Sequence, residues 1–279
     1  MLSGEVFKMP SEMHPSQNED QEINQRVRAQ FGPAADAYTH SKVHRDPHAL
    51  KKVLKLASPQ TSDLALDIAT GAGHVALALA PFVRKVVAYD MTEEMLQAAA
   101  RNAATRGLTN VAIQKGIAEW LPFPHASFDI VTVRYATHHF TDAQCALCEI
   151  ARVAKIGARV VIVDSTSPED GDLDRQWNHI EKLRDHSHVR NYQPGAWRAM
   201  ITGAGLRIKF EELDYCAEDG GAMSFVDWTR RVNTPPEAVE ELRRIFRDAS
   251  PELVEVLRIE TTAEEVRFRV PQITIAAMR

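Results

Sequence analysis

Residues 64–80, Leu-Ala-Leu-Asp-Ile-Ala-Thr-Gly-Ala-Gly-His-Val-Ala-Leu-Ala-Leu-Ala, leave few folds open. Leu64, Leu66 and Ile68 form a short apolar run with Asp67 near its end, which reads as a buried strand tipped by a carboxylate. Gly71 and Gly73 permit backbone conformations closed to other residues and let a ligand come close to the main chain. His74 to Leu79 then begin an apolar helix, whose free amides and positive dipole end face whatever lies over the turn. Strand, glycine turn and helix in this order make the nucleotide cradle of a doubly wound sheet. Alone, the segment also fits the G-x-G-x-x-A form of a dinucleotide fingerprint, and a tight turn with no ligand is a further reading.

The flanking sequence decides in favour of a ligand site. Lys85–Asp90 is a β-branched strand that again ends in a carboxylate. Thr92 then reads as an N-cap, Glu93 and Glu94 suit a first helical turn, and Gly107 ends that helix. Further strands are expected at Val111–Gln114, Phe128–Val133 and Ala158–Val163, with a helix over Asp142–Ala154. The alternation predicts an α/β, Rossmann-like doubly wound sheet, mostly parallel and closed by an antiparallel C-terminal strand. A sixth strand over Leu206–Leu213 and a strand-rich end from Val266 to Met278 supply the closure, with Pro271 at a bend or an edge. Asp67, Asp90, Ile117, the segment Arg134–His139 and Asp164 all fall at strand ends, where such sheets bind their ligands.

Outside this core, residues 1–24 read as a disordered polar tail and residues 25–60 as an N-terminal helical lid broken at Gly32-Pro33. The domain proper is placed at 61–279, with lid insertions near 165–200 and 217–250. A net charge of −5 gives no electrostatic reason to expect nucleic acid. No apolar run is long enough to span a bilayer, and the acidic N-terminus lacks a secretory pattern. The three cysteines suit a reducing, cytoplasmic setting. Cys145 and Cys148 are expected to be small buried hydrophobes on a helix. The H-x-H spacing of His186 and His188 is too little to predict a metal. Oligomeric state is left open, a homodimer included.

Several motifs in sequence order resemble the class I S-adenosylmethionine-dependent methyltransferases, and more narrowly the ubiquinone/menaquinone methyltransferase-like (type 11) group. They are Asp67-Ile-Ala-Thr-Gly-Ala-Gly73, Val87-Ala-Tyr-Asp90, Gly116-Ile-Ala-Glu-Trp-Leu-Pro-Phe-Pro124, Phe128-Asp-Ile-Val-Thr-Val133, Thr137-His-His-Phe140 and Ile150-Ala-Arg-Val-Ala-Lys-Ile-Gly-Ala158. The resemblance spans roughly residues 25–215 and implies S-adenosyl-L-methionine as cofactor, S-adenosyl-L-homocysteine as product and a small-molecule methyl acceptor.

It also implies roles. Ala69, Thr70, Gly71, Gly73 and His74 would surround the amino-acid part of the cofactor, with Asp67 near its ammonium group. Asp90 would accept from both ribose hydroxyls, Met91 and Met95 would flank the adenosine, and Gly116, Ile117, Ala118 and Glu119 would meet the adenine edge. Tyr38 and Arg134 complete the expected cofactor set. Ala69 replaces the group's first glycine, and Ile117 replaces an acidic residue that receives the adenine amino group, a role that Glu119 or a water could fill. The expected proton acceptors are His139, His188 and Asp164. Candidate acceptor-binding residues are His138, Asp185, Arg190 and Trp228, with Trp177 and Trp197 in the same capping segments. Two alternatives stand beside methyl transfer: a protein of this fold that uses the same cofactor for another reaction, and an NAD-binding oxidoreductase.

Overall fold

The computed structural model describes residues 15–216, 222–262 and 265–279. Residues 1–14 of the expected tail and 217–221 of the second expected insertion lie outside them. Helices α1 (Pro15–Phe31), α2 (Ala35–His40), α3 (Lys42–Arg45) and α4 (Pro47–Ala57) precede β1 (Leu64–Ile68) and α5 (His74–Leu79). Then follow β2 (Lys85–Asp90), α6 (Glu93–Thr105), β3 (Val111–Lys115), β4 (Phe128–Arg134), α7 (Ala143–Val153) and β5 (Ala154–Ser165). The capping segments hold α8 (Gly171–Arg184), α9 (Pro194–Gly203), β6 (Arg207–Cys216), β7 (Met223–Ser224), α10 (Phe225–Arg231), α11 (Pro236–Arg247) and α12 (Pro251–Leu257). Strands β8 (Glu260–Thr261), β9 (Val266–Phe268) and β10 (Val270–Met278) close the chain.

Seven strands form one sheet in the order β3-β2-β1-β4-β5-β10-β6, parallel except at β10, which runs antiparallel to both neighbours. Side-chain alternation explains why both faces are covered. Leu66, Ile68, Val87, Tyr89, Val131, Val133, Val160 and Ile162 face one layer, against Leu147 and Ile150 of α7 and Trp197 of α9. Ala65, Val86, Ala88, Ile130, Val161 and Val163 face the other, against Val53 of α4 and Val75 and Leu79 of α5. Strand order reverses between β1 and β4, so a crevice opens beyond their carboxyl ends.

A second core joins α8, α10, α11, α12 and the small β7-β9-β8 sheet around Trp177, Phe225, Trp228, Phe246 and Phe268. Strand β9 falls within the expected strand-rich end, but its pairing with β7 and β8 is not legible in the sequence, because two- and three-residue strands carry no period of their own.

Several expectations need correcting. Residues 15–24 belong to α1 rather than to a tail: Val27 is buried, and the Gln30 side-chain amide donates to the Val232 carbonyl at 2.6 Å. Pro271 sits inside an interior strand, though at its first turn of pairing: it faces Tyr215 of β6, and pairing with β5 starts only at Gln272. Cys145 and Cys148 are exposed on the outer face of α7, and only Cys216 is buried. Trp197 packs under the main sheet, not in a cap. Thr92 occupies the N-cap of α6 without a side-chain cap bond; its amide donates to Asp90 instead. Among the described residues no helix is long and apolar enough to cross a membrane.

Candidate active site

The carboxyl ends of β1, β2 and β4 carry Asp67, Asp90 and Arg134 to one crevice of about 980 Å³, counting its open mouth. Asp67 is buried, and burial pushes its carboxyl up to about 6 against the hydrogen bonds that hold it down. It accepts from the Thr132 and Thr70 hydroxyls, both at 2.6 Å, and from the Ala76 amide at 3.1 Å. These bonds fix the glycine turn against β4 and the first turn of α5. Asp90 does the same for the next turn: Oδ2 accepts from the Gly71 amide and Oδ1 from the Thr92 amide, each at 2.8 Å. Burial pushes its carboxyl above the usual carboxylate range despite these amides, yet it still lines the crevice.

The turn itself is strained where the group's glycine is missing. Ala69 has φ +49°, a left-handed conformation that costs a residue with a Cβ about 1–2 kcal/mol. Ala69→Gly is therefore expected to raise stability by about 1 kcal/mol, or less if the freer unfolded chain offsets the relief, as thermal unfolding would read. A Cβ at Gly71 would meet nothing closer than the Met95 sulfur at 3.9 Å, so this corner leaves room for a ligand. Gly73 is different. It does not line the crevice, and its Cβ would press on Ala99 at 3.1 Å, so it serves the close packing of α5 on α6 rather than the cofactor.

Every other expected cofactor residue lines the crevice: Tyr38, Asp67, Ala69, Thr70, Gly71, His74, Asp90, Met91, Met95, Gly116, Ile117, Ala118, Glu119 and Arg134. Glu119 and Arg134, like the two carboxylates above, have structural duties as well. Glu119 Oε1 accepts from the Thr141 amide and hydroxyl at 2.8 and 2.9 Å, which fastens the loop before α7. The Arg134 guanidinium donates to the Val43 and His44 carbonyls at 2.8 and 2.9 Å, tying α3 over the crevice. Its Nε is buried without a protein partner. Asn24, Val27 and Tyr135 also line this wall, outside the expected cofactor set, and Asn24 falls in the stretch expected as tail.

The residues suit the implied cofactor. An unpartnered guanidinium N–H and the open Gly71 corner match a carboxylate. The paired oxygens of Asp90 retain free lone pairs for ribose hydroxyls, and Met91, Met95 and Ile117 offer an apolar slot for the base. Ile117 itself offers no acceptor side chain, but the Ile117 carbonyl already receives the Tyr89 hydroxyl at 3.0 Å, so this backbone is firmly placed.

A second cavity of about 650 Å³, again including its mouth, adjoins the first and shares Phe31, Tyr38, His44, Tyr135 and His139 with it. Tyr38 is half-buried there, and desolvation pushes its hydroxyl up to about 12. His138, Asp185 and Trp228 line this second space. Trp228 is nonetheless 1% exposed, stacked on Trp177 and packed at the edge of Phe268, so packing is its main duty. Arg190 lies outside both cavities, exposed and paired with Asp174 at 2.7 Å. His188 is also outside them; it is buried against His138, with Nε2 3.3 Å from the Asn178 side-chain oxygen. Asp164 is fully buried and reaches the cavity only through His138, whose Nδ1 is 2.5 Å away. Among the described residues no group of three or more His, Cys, Asp or Glu side chains is arranged to hold a metal.

His139 stands at the junction of the two cavities. Its Nδ1 lies 3.0 Å from the Ser187 carbonyl, which can only accept, so Nδ1 carries the proton and Nε2 a lone pair. Burial and the neighbouring His138 push it down to about 4. The ring is neutral at physiological pH.

Known proteins agree with this layout. A family model described as a methyltransferase domain matches residues 66–162, from β1 to β5. The uncharacterized methyltransferase YcgJ of Bacillus subtilis is 37% identical over 222 residues, 80% of this chain and 86% of that protein. Its crystal structure superimposes with a TM-score of 0.77 at 35% identity, covering 83% of this chain and 98% of that one. A demethylmenaquinone methyltransferase of Thermus thermophilus is 37% identical over 186 residues, 59% of this chain and 84% of that enzyme. A relative of this identity, matched over most of both lengths, shows that the chain belongs to the S-adenosylmethionine-dependent methyltransferases of class I fold.

Proposed function

We propose that the first cavity holds S-adenosyl-L-methionine and that the second admits a small-molecule acceptor, to which the methyl group passes at their junction. The observation that carries this reading is the shared wall: two adjoining cavities meet at His139, Tyr38 and Tyr135. The bound cofactor supplies a methyl group already activated on a sulfonium. The protein's task is then mainly to align an acceptor nucleophile with that methyl and to keep water out. Arg134 Nε would receive the amino-acid carboxylate beside the open Gly71 corner, and Asp90 the ribose. His139, neutral at the junction, adds no repulsion to a bound sulfonium, and its fixed ring orients the acceptor.

His139→Gln is expected to lower turnover about 10–100-fold through lost alignment, with the Kd for S-adenosyl-L-methionine changed less than about threefold. An unaltered turnover would return His139 to a packing role. The reaction itself is tested by incubating the protein with methyl-labelled cofactor and a panel of phenols, hydroquinones and amines. Labelled product together with S-adenosyl-L-homocysteine supports transfer. A protein that binds the cofactor and labels nothing favours the other reading, cofactor chemistry without methylation.

A further inference from the structure

We propose that His138 and Asp164 form an acid–base pair of the second cavity, in which His138 Nε2 takes the proton of an acidic hydroxyl on the acceptor and Asp164 positions the ring. This rests on the reading of the second cavity as the acceptor site. Three histidines line that cavity and a fourth, His188, packs behind them, and the structure distinguishes them. His139 spends its proton on Ser187, and its lone pair belongs to a ring that burial and His138 make weakly basic. His44 is bonded through Nδ1 to the Ser41 hydroxyl at 2.8 Å, and burial pushes it well below the usual range. His188 does not face the cavity.

His138 alone has a carboxylate on its far nitrogen. Asp164 Oδ1 lies 2.5 Å from Nδ1, and Oδ2 accepts the backbone amide of His138 at 3.3 Å. The Ser165 amide, 2.8 Å from Oδ1, completes the carboxylate's set. A carboxylate can only accept here, so Nδ1 carries the proton and Nε2 is left for the cavity, the arrangement by which a buried acid fixes the tautomer of a basic histidine. Electrostatics agree. Burial opposes a charge on His138, but Asp164, then Glu181 and Asp185 of the facing α8 segment, outweigh it and leave the ring above its usual range. The His139 and His188 rings, 4.2 and 5.6 Å away between centroids, are both held neutral, so neither competes for the proton. Phe31, Tyr38, Tyr135 and Trp228 around the same space favour a flat, aromatic acceptor.

The step balances simply. The acceptor O–H bond breaks as an N–H bond forms at Nε2. The oxyanion then forms the O–CH₃ bond as the S–CH₃ bond of the cofactor breaks, and the imidazolium later returns its proton to solvent.

The test needs no natural acceptor. The protein is saturated with S-adenosyl-L-homocysteine and titrated with 4-nitrophenol, at a pH about one unit below the probe's own pKa, while the phenolate absorbance is followed. The wild type is expected to bind the probe mainly as phenolate beside imidazolium, shifting its ionisation about tenfold or more. His138→Gln and Asp164→Asn are expected to bind it as neutral phenol while still binding S-adenosyl-L-homocysteine. Equal ionisation in His138→Gln would overturn the role of His138, and equal ionisation in Asp164→Asn that of Asp164. A wild type that binds only neutral probe, or none, overturns the pair while leaving the cofactor reading intact if S-adenosyl-L-homocysteine still binds. Should either variant unfold, ¹⁵N-histidine spectra of the wild type decide: probe binding must move the His138 nitrogens to the imidazolium pattern, and unchanged shifts reject the pair.

Discussion

Replacing Asp90 with alanine is expected to weaken S-adenosyl-L-methionine binding about 100–1000-fold. Two charge-assisted hydrogen bonds to ribose hydroxyls, at about 1.5–2 kcal/mol each, set that scale. The carboxylate has a second function that compounds the loss. It accepts the Gly71 and Thr92 amides and so holds the turn that would meet the amino-acid carboxylate and the start of α6. Both amides would lose their partner, the Thr92 amide in a buried position, at a stability cost of about 1–3 kcal/mol. Calorimetric titration reads the affinity and thermal unfolding the stability. An Asp90→Ala protein that binds the cofactor within about threefold of the wild type would remove β2 from the account of the site.

Gly116→Ala is expected to give the largest stability loss of any single methyl group added near the cleft. A Cβ there would lie 1.9 Å from the Tyr89 hydroxyl oxygen and 2.5 Å from its ring carbon Cζ. The ring cannot swing away cheaply: Tyr89 is 1% exposed, meets Phe123 edge-on, and spans the Ile117 and Trp120 carbonyls at 3.0 and 3.1 Å. Overpacking and the lost hydrogen bonds together amount to about 3 kcal/mol, or about 6–12 °C in Tm for a chain of this size. Because Ile117 and Ala118 line the cleft, cofactor affinity is expected to fall with it. Adding Tyr89→Phe, which removes the clashing oxygen, is expected to restore part of the loss, a coupling between neighbours. An unchanged Tm in Gly116→Ala would mean that this loop is free to shift and does not define the cleft floor.

The sheet and the cofactor crevice were legible because their signals are local. A strand, a glycine turn, a helix and a carboxylate at the strand end are all written within some twenty residues, and the period-2 faces of β1, β2, β4 and β5 follow from their apolar runs. What escaped depends on distant partners. Helix α1 is polar for most of its length, and its place is fixed by Val27, Phe31 and the reach of Gln30 to Val232. Gly73 has the same look in the sequence as Gly71, and only the approach of Ala99 tells packing from binding. His138 and His139 are neighbours of one type. Asp164, 26 residues on, and Ser187, 48 residues on, give them opposite characters. Arg190 looked like an acceptor ligand until Asp174 claimed it.

The measurement that bears most directly on the central claim is calorimetric titration of the purified protein with S-adenosyl-L-methionine and, in parallel, with NADH. One-site binding of the first with a Kd on the order of micromolar, and no heat from the second, is the expected result. A folded protein that takes up NADH, or that gives no heat with S-adenosyl-L-methionine or S-adenosyl-L-homocysteine, would contradict the account of the crevice.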